Sequence, residues 1–318
     1  MEQPEIKTKD IKQVIVVTMS TGLQGRAVVK YLSEKTSFKI KALTRNPSSE
    51  IALELSKLTN VDVIQADLLD VDSLCNCFKG AYGIFGNTTP TKGWQPLVRE
   101  YEMEQGRNLI NAVSKIKKQG QLKHFVFSSI CKAKDPIKND PAPGHFSSKW
   151  DIEDYLFKKD LKEITTIIRP SSYFENFEGN LPGLKLSKNS FPGIVNPDKK
   201  WQTIAVKDIG LWTTAIFSNP NKFINKSINL AGEELTGNQM AKLLKKVLGV
   251  NSKKVNYIMA PRIFLKLFVN DIGLMADWIE RAGYGADLNY LKMLAEEEGI
   301  KMTSLETWLK TRLQIQKN

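Results

Sequence analysis

Residues 14–32 have the sequence VIVV-TMSTGLQG-RAVVKYL. The apolar run predicts a buried strand, and the apolar spacing after the turn predicts a helix. Gly22 would let the backbone approach a phosphate, and Gly25 would let the helix pack closely on the sheet. Unpaired N–H groups at the helix start would face that phosphate. The stretch therefore predicts a dinucleotide-binding turn that includes Met19, Ser20, Thr21, Gly22, Leu23, Gln24 and Gly25.

Met19 stands where such a turn normally has the first of three glycines. A methionine there either forces a different turn or places a side chain near the pyrophosphate. We therefore expect Met19 to weaken cofactor binding without damaging the fold. Because glycines occur in many ordinary turns, a plain strand-to-helix connection is the alternative interpretation.

The end of the second strand indicates which cofactor the turn would hold. Residues 38–44 alternate as a strand does, and Arg45, Asn46 and Pro47 follow. At this corner an acidic residue binds the ribose 2′-hydroxyl of NAD, whereas an arginine accommodates the 2′-phosphate of NADP. No acid is present, and the Arg45 guanidinium suits a phosphate. The corner predicts NADP rather than NAD.

Further strands follow at regular intervals. We predict them at residues 61–66, 81–86, 124–127 and 164–168, with a long helix from about Gln95 to Lys118. Alternating strands and helices predict an α/β fold, a Rossmann-type doubly wound parallel sheet. Ligands of such sheets lie beyond the carboxyl ends of the strands. That edge adds Asp67 and Leu68 near the adenine, and Thr88, Thr89 and Pro90 beside the centre of the cofactor.

Motifs along most of the chain carry a family resemblance. They are TGLQG at 21–25, TRNP at 44–47, EQG at 104–106, HFVFSS at 124–129, HFSSK at 145–149 with Glu153 and Tyr155, RP at 169–170, YFENF at 173–177, VKDIG at 206–210 and TSLETWL at 303–309. In these motifs the chain resembles the NmrA-like family, an atypical branch of the short-chain dehydrogenase/reductases. The resemblance implies that Lys149 contacts the nicotinamide ribose. It also implies that Tyr173, Phe174, Glu175 and Asn176 cover the nicotinamide end. Family members are NADP-binding regulators or redox sensors, and some relatives are reductases.

The position one helical turn before Lys149 decides the catalytic question. Short-chain dehydrogenases carry a tyrosine there, whose phenol donates a proton during hydride transfer. Here the residue is His145, which can exchange a proton near neutral pH but is no phenol. Tyr-x-x-x-Lys also occurs at Tyr155 and at Tyr31, and we interpret both as coincidence. The candidate catalytic residues are thus Lys149 and His145, without a complete proton relay.

Composition bounds the remaining possibilities. The chain has 318 residues, of which 42% are hydrophobic, and a net charge of +12. We predict a polar flexible tail at 1–12, an NADP-binding Rossmann domain at 13–190, and a smaller, mostly helical C-terminal lobe at 191–318, interleaved with the first domain. The first twelve residues lack the apolar centre of a signal peptide. Since no apolar run is long enough for a membrane span, we expect the protein in the cytoplasm, with the nucleus as an open second location.

The cysteines and histidines do not suggest a metal site. Cys75, Cys77 and Cys131 favour a reducing compartment over a disulfide scaffold. With only two histidines we expect no metal. His124, which enters a strand, is interpreted as an edge residue.

The positive charge raises the question of a polyanionic partner. Lysines crowd residues 115–123, 132–138 and 245–254. Because no helix-turn-helix, zinc finger or set of stacking aromatics accompanies them, we interpret them as solvated faces and expect no nucleic acid and no membrane as partner. A regulatory protein partner is expected, and a homodimer is left open.

Three functions remain. The leading hypothesis is an NADP(H)-binding redox sensor or regulator with little or no turnover, whose moving parts are residues 132–144 and 173–179. The alternative is an NADPH-dependent reductase of a small carbonyl or quinone. The third is a scaffold that has lost the cofactor through Met19.

Overall fold

The computed structural model describes residues 13–91, 98–131, 143–179, 184–249 and 255–315. The strands in these ranges are β1 (Val14–Val17), β2 (Lys39–Thr44), β3 (Val61–Gln65), β4 (Gly83–Gly86), β5 (His124–Ser128), β6 (Thr165–Pro170), β7 (Ser172–Tyr173), β8 (Ser190–Gly193), β9 (Lys200–Ile204), β10 (Ser227–Leu230), β11 (Glu233–Thr236) and β12 (Asn256–Met259).

The α-helices in the same ranges are α1 (Leu23–Lys35), α2 (Glu50–Ser56), α3 (Val71–Phe78), α4 (Arg99–Lys117), α5 (Gly144–Lys158), α6 (Val206–Ser218), α7 (Pro220–Phe223), α8 (Gly237–Leu248), α9 (Arg262–Phe268), α10 (Asn270–Ala282), α11 (Leu288–Glu297) and α12 (Leu305–Ile315). The long helix expected from about Gln95 begins at Arg99, and residues 92–97 lie outside the described ranges.

Seven parallel strands form the main sheet, in the order β10-β6-β5-β4-β1-β2-β3. β1 pairs with β2 on one side and with β4 on the other, so the strand order reverses at β1. Ligands of doubly wound sheets bind at such a switch point, outside the carboxyl ends of the strands. The predicted Rossmann-type parallel sheet is confirmed.

Helices cover both faces of this sheet. They are required because successive side chains of β1 point to opposite faces and all of them are apolar. Ile15 and Val17 join one apolar cluster with α1 and α6, whereas Val16 joins another with α3, α4 and α5. Gly106 lets α4 and α5 approach, because a Cβ at that position would overlap the Ile152 side chain.

The C-terminal part is mostly helical, as expected, and is built around a third apolar cluster. That cluster joins Phe146 and Phe174 to Trp201 and Trp278. Two small sheets, β11-β9-β7 and β12-β8, lie in the same region. α6 and β10 nevertheless belong to the main sheet and its covering layer, so the chain leaves the Rossmann part and returns to it.

The interpretation of His124 as an edge residue is wrong. β5 lies between β4 and β6, and His124 is fully buried. Its Nε2 lies 2.8 Å from Thr166 Oγ1, whose own hydroxyl donates to the Phe223 carbonyl oxygen. Nε2 is therefore the donor to Thr166 Oγ1 and carries a ring proton. Burial lowers the pKa of His124 to about 4.

This histidine is expected to make the protein sensitive to acid. The unfolded chain takes up the proton on this histidine near pH 6.5, whereas the folded chain takes it up near pH 4. The contribution of His124 to the free energy of unfolding is therefore fully present above pH 6.5, and the free energy of unfolding falls by about 3 kcal/mol between pH 6.5 and pH 4. Urea unfolding at several pH values measures this loss. His124→Gln, which can still donate to Thr166, should flatten the profile over that interval. An unchanged profile would show that His124 is not responsible.

None of the helices in the described ranges is both long and apolar enough to cross a bilayer.

Candidate functional site

A cavity of about 1300 Å³ opens between the carboxyl ends of the central strands and the C-terminal helices. It is lined from the switch point of the sheet, from the start of α5 and from α10. Of the residues predicted from the sequence, it brings together Met19, Gly22, Leu23, Gln24, Thr88, Thr89, Pro90, His145, Lys149, Tyr173 and Asn176.

Met19 gives the turn after β1 its shape. Its backbone adopts a left-handed conformation with a φ of 49°, which a glycine would adopt without strain. Gly22 is the N-cap of α1, no side chain caps this helix, and no acid lies in its first turn. The first N–H groups of α1 therefore point beyond the strand ends, where an anion can accept their hydrogen bonds.

Gly25 holds the helix against this turn. A Cβ on Gly25 would overlap the Met19 carbonyl oxygen and lie 2.9 Å from the Cα of Ser20. Ser20 and Thr21 face the second strand instead of the cavity, since Ser20 Oγ donates to the Leu43 carbonyl at 2.9 Å and Thr21 Oγ1 lies 3.3 Å from Thr44 Oγ1. These two residues hold the turn in place.

The predicted adenosine corner lies farther along the same edge, outside the cavity lining. Arg45 is exposed, and its Nη1 donates to the Tyr101 hydroxyl at 3.3 Å. Asn46 accepts from the Ser48 N–H, and Asp67 accepts from the Leu69 N–H, each at 3.0 Å. Two further residues predicted for this corner, Pro47 and Leu68, lie half-buried and buried beside them.

The predicted Tyr173 to Asn176 segment has side chains facing opposite directions. Tyr173 and Asn176 line the cavity. Phe174 is buried in the C-terminal apolar cluster, 5.8 Å from the Trp308 ring. Glu175 accepts from the Val206 N–H at 3.0 Å, and its burial raises its pKa. Phe174 and Glu175 therefore anchor the segment. Of the other predicted moving part, residues 132–144, residues 132–142 lie outside the described ranges.

Lys149 is held by a buried polar cluster. Its Nζ lies 2.9 Å from Asn87 Oδ1, 2.9 Å from Thr88 Oγ1 and 3.3 Å from Glu102 Oε1. Burial lowers the pKa of Lys149, while the Glu102 carboxylate acts to raise it. The lysine is thereby fixed at the cavity wall beside a compensating negative charge.

Glu102 was missed by the sequence reasoning. It is fully buried, accepts from Thr88 Oγ1 at 2.9 Å and also accepts from the Ser148 hydroxyl. A signal for it exists, because Glu102 shares the spacing of Gln105, Gly106 and Leu109 on the buried face of α4. An acid on such a face needs a buried partner.

His145 is paired with Asp271, a residue that the sequence reasoning also missed. Asp271 accepts from His145 Nδ1 and from the Gly144 N–H, so an acid on α10 caps the start of α5. Burial acts to raise the pKa of Asp271, but the bonds from His145 outweigh it and the pKa lies below its usual value. With Nδ1 engaged, the other ring nitrogen of His145 is the one available to the cavity. Since 126 positions separate the two residues, no local pattern could reveal the pair.

The tyrosines of the cavity lining, Tyr173 and Tyr284, are poor acids. Burial raises the pKa of Tyr173 to about 12, and burial also raises the pKa of Tyr284 well above its usual value. Tyr155, by contrast, packs against the apolar cluster under α4 and donates to Asn111 at 2.8 Å. Lys159, above the Tyr155 ring, caps the far end of α5. The Tyr155-x-x-x-Lys159 pair is therefore not part of the cavity.

Within the described ranges no cluster of histidine, cysteine and acidic side chains could hold a metal. Cys75 and Cys131 are buried and Cys77 is half-buried, all three as free thiols.

Comparison with known proteins places this fold and cavity in a family. Residues 11–309 match the profile of the NmrA-like family. An NmrA-like family domain-containing protein of Dictyostelium discoideum is 29% identical over 314 residues, covering 93% of this chain and 96% of its own length. The oxidoreductase FrzB of Cladobotryum, also named for this domain, is 29% identical over 165 residues, covering 52% of this chain and 48% of its own.

Solved structures share the fold at lower identity. NmrA, a negative transcriptional regulator crystallised with NADP, superposes with a TM-score of 0.78 at 20% identity, covering 96% of each chain. The NADPH-dependent quinone oxidoreductase QOR2 of Escherichia coli, crystallised with NADPH, gives 0.72 at 23% identity, covering 94% of this chain and 99% of its own. The resemblance seen in the motifs is confirmed, and the chain belongs to the NmrA-like family.

Proposed function

We propose that the protein binds NADP(H) and acts as a redox-responsive regulator with little or no hydride-transfer turnover. One observation carries the proposal. Lys149 lies in a dinucleotide-type cavity with His145 one helical turn before it, whereas the tyrosines of the cavity have raised pKa values. A binding site is built, but His145 occupies the position, one helical turn before Lys149, where the related dehydrogenases carry the proton-donating tyrosine.

The residues present fit the cofactor. The uncapped N-terminus of α1 and the close approach allowed at Gly22 suit a pyrophosphate. Exposed Arg45 suits the 2′-phosphate, and Lys149 would donate to the nicotinamide ribose. When bound, NADPH would supply a hydride. The protein's own groups would bind and orient it.

A hydrogen-bond chain would connect the pyrophosphate turn to the segment at residues 173–179. Ser128 Oγ donates to Gln24 Oε1 at 2.7 Å, and Gln24 Nε2 donates to the Tyr173 hydroxyl. Gln24 lies in the first turn of α1, so a bound cofactor would touch the middle of this hydrogen-bond chain. The segment carrying Tyr173 would respond at one end of it. The NmrA regulator, crystallised with NADP, and QOR2, crystallised with NADPH, support the cofactor but point to different roles.

Sensing requires unequal stabilisation of two conformations by NADP⁺ and NADPH, since a ligand shifts a population only by its differential affinity. Calorimetric titration should give binding of both forms, and hydrogen exchange at residues 173–179 should differ among the free and the two bound states. NADPH oxidation with a panel of quinones and carbonyls should stay below about 0.01 s⁻¹, far under the usual ~1–1000 s⁻¹ of enzymes. Identical exchange in all three states together with rapid oxidation would refute the regulator.

A second function is favoured by the His145–Asp271 pair. Asp271 engages Nδ1 of the ring and leaves the other nitrogen able to pass a proton to a reduced carbonyl or quinone oxygen. The protein would then be an NADPH-dependent reductase. In that case His145→Gln should lower turnover about 100-fold or more while leaving NADPH affinity unchanged.

Arg45 is expected to set the cofactor preference. Arg45→Ala should remove a charge-assisted phosphate contact of about 1.5–3 kcal/mol and so erase most of the preference for NADP(H) over NAD(H). Titrations of both proteins with both nucleotides measure this. Affinity for NAD(H), which lacks the 2′-phosphate, serves as the internal control. Equal wild-type affinities for the two nucleotides would contradict the assignment.

Met19→Gly is expected to tighten NADP(H) binding with little change in melting temperature. Glycine adopts the left-handed backbone found at Met19 without the strain of about 1 kcal/mol, which offsets its loss of side-chain packing. Removing the side chain also clears the cavity wall at the turn. Titration and thermal unfolding of both proteins test this. Weaker binding in the variant would show that the methionine side chain contacts the cofactor favourably.

A further inference from the structure

The parallel sheet gathers lysines at the edge opposite the cavity. Each helix that precedes a main-sheet strand ends at the edge where that strand begins. The helix-to-strand connections that make up this edge, here called the basic edge, are residues 35–39, 57–61, 79–83, 117–124, 158–165 and 219–227. They contain twelve lysines, two acids and no arginine.

Most of these lysines are exposed and form no ion pair within the described ranges. Ten of the twelve are exposed, and within the described ranges only Lys39 among those ten forms an ion pair, 2.8 Å from Asp62. The half-buried ones, Lys117 and Lys222, are paired with Glu163 and with Glu297 and Glu298. The exposed set is Lys35, Lys39, Lys57, Lys79, Lys118, Lys123, Lys158, Lys159, Lys162 and Lys226.

Helix stability does not account for this distribution. Lysines at the ends of helices favour the helix dipole, which explains residues such as Lys35 and Lys158. Lys39, Lys123 and Lys226 instead lie at or just before the starts of strands, where no such benefit applies. Within the described ranges, the connections at the cavity edge, residues 18–22, 45–49, 66–70 and 87–91, contain no lysine. Four lysines of the cavity-edge connections, Lys92, Lys132, Lys134 and Lys138, lie outside the described ranges. Among the described connections, the lysines are therefore concentrated at the basic edge.

We propose that the basic edge is the docking surface for an acidic segment of a partner protein. Seven strands spaced ~4.8 Å apart make the edge about 30 Å long, which an extended segment of about nine residues would span. Lysines spread as separate point charges suit carboxylates distributed along such a segment. The surface goes beyond the NADP(H) site and does not depend on it.

The composition of the edge favours a protein over other polyanions. Phosphate recognition is best served by the planar fork of arginine, which these connections lack. Single-stranded nucleic acid needs aromatic side chains for stacking, and adsorption to a membrane needs exposed apolar ones. Of the exposed large apolar residues in the described ranges only Phe157 adjoins these connections, and the aromatic residues Phe38 and Tyr82 within them are half-buried and stacked on each other.

The test uses the full-length protein and a fluorescein-labelled peptide of about ten glutamates, titrated by anisotropy at low and at moderate salt. A variant with Lys118→Gln, Lys123→Gln, Lys162→Gln and Lys226→Gln should bind the peptide about tenfold more weakly. The matched control carries Lys188→Gln, Lys199→Gln, Lys242→Gln and Lys245→Gln, four exposed lysines of the C-terminal part. Since it loses the same net charge, its affinity should change by less than about twofold.

Two outcomes would overturn the proposal. An equal loss in both variants would show that only the overall charge attracts the peptide. Tighter binding to a DNA duplex of about 20 base pairs, or to vesicles containing phosphatidylserine, would assign the edge to a different class of partner. NADP⁺ titration of both variants keeps the two proposals separate, because cofactor binding should survive in each whether or not the peptide binds.

Discussion

Replacing Gly25 with alanine is expected to destabilise the protein by about 3 kcal/mol or more and to abolish NADP(H) binding. The new Cβ would overlap the Met19 carbonyl oxygen and lie 2.8 Å from its carbonyl carbon. Both are backbone atoms of the turn, so neither can move aside as a flexible side chain would. The start of α1 would have to shift away from the sheet, and its N–H groups would lose their position at the cavity.

Gly22→Ala is the matched control for this experiment. Its Cβ would lie 3.3 Å from the same oxygen, and Gly22 has an ordinary extended backbone with a φ of −76°. We expect a stability loss below about 1 kcal/mol in the free protein and a larger effect on cofactor binding, since the methyl group faces the pyrophosphate position. Urea unfolding and NADP⁺ titration of both variants test the contrast. Equal stability of the two variants would mean that α1 is not held by Gly25.

Replacing Glu102 with leucine is expected to cost about 3–5 kcal/mol, because it leaves the buried Lys149 ammonium without its compensating charge. The Thr88 and Ser148 hydroxyls would also lose their acceptor. Urea unfolding near neutral pH measures the effect. Glu104→Leu is the control, since Glu104 is exposed on the same helix and should change stability by less than about 0.5 kcal/mol.

A double variant separates the charge from the packing. Glu102→Leu combined with Lys149→Met removes both charges, so most of the lost stability should return. NADP(H) binding should stay weak, because the lysine assigned to the nicotinamide ribose is gone. If the double variant is as unstable as the single one, the hydroxyl contacts of Glu102 matter more than its charge.

The basic edge shows what a linear interpretation of charge leaves out. Along the chain the lysines are dispersed, which favoured solvated faces with no nucleic acid or membrane as partner. In the fold, residues as distant as Lys35 and Lys226 lie along one edge because every connection that returns to the sheet starts its next strand there. The gathering of these lysines along one edge is a property of the topology and has no counterpart in local sequence.

The sequence alone determined the switch-point turn and the sheet. Apolar runs such as residues 14–17 alternate along the chain with segments that have the apolar spacing of a helix. This order leaves few arrangements other than a parallel sheet covered on both faces. Gly25 has a role only in a close strand-to-helix turn. Those features depend on neighbours within a few residues, so local physics suffices to predict them. The direction of each side chain in the Tyr173 to Asn176 segment depends instead on distant parts of the chain, and Phe174 and Glu175 anchor the segment instead of lining the cavity.

Only the tertiary structure decided the buried partners. Glu102 meets Lys149 because α4 and α5 pack together on one face of the sheet, and Asp271 reaches His145 because α10 folds back onto the start of α5. In the same way, the interior position of β5 made His124 a neutral core residue. The charge state of a buried side chain, and the atom that carries its proton, depend on the groups within a few ångströms. In this chain those groups come from segments tens to more than a hundred residues away.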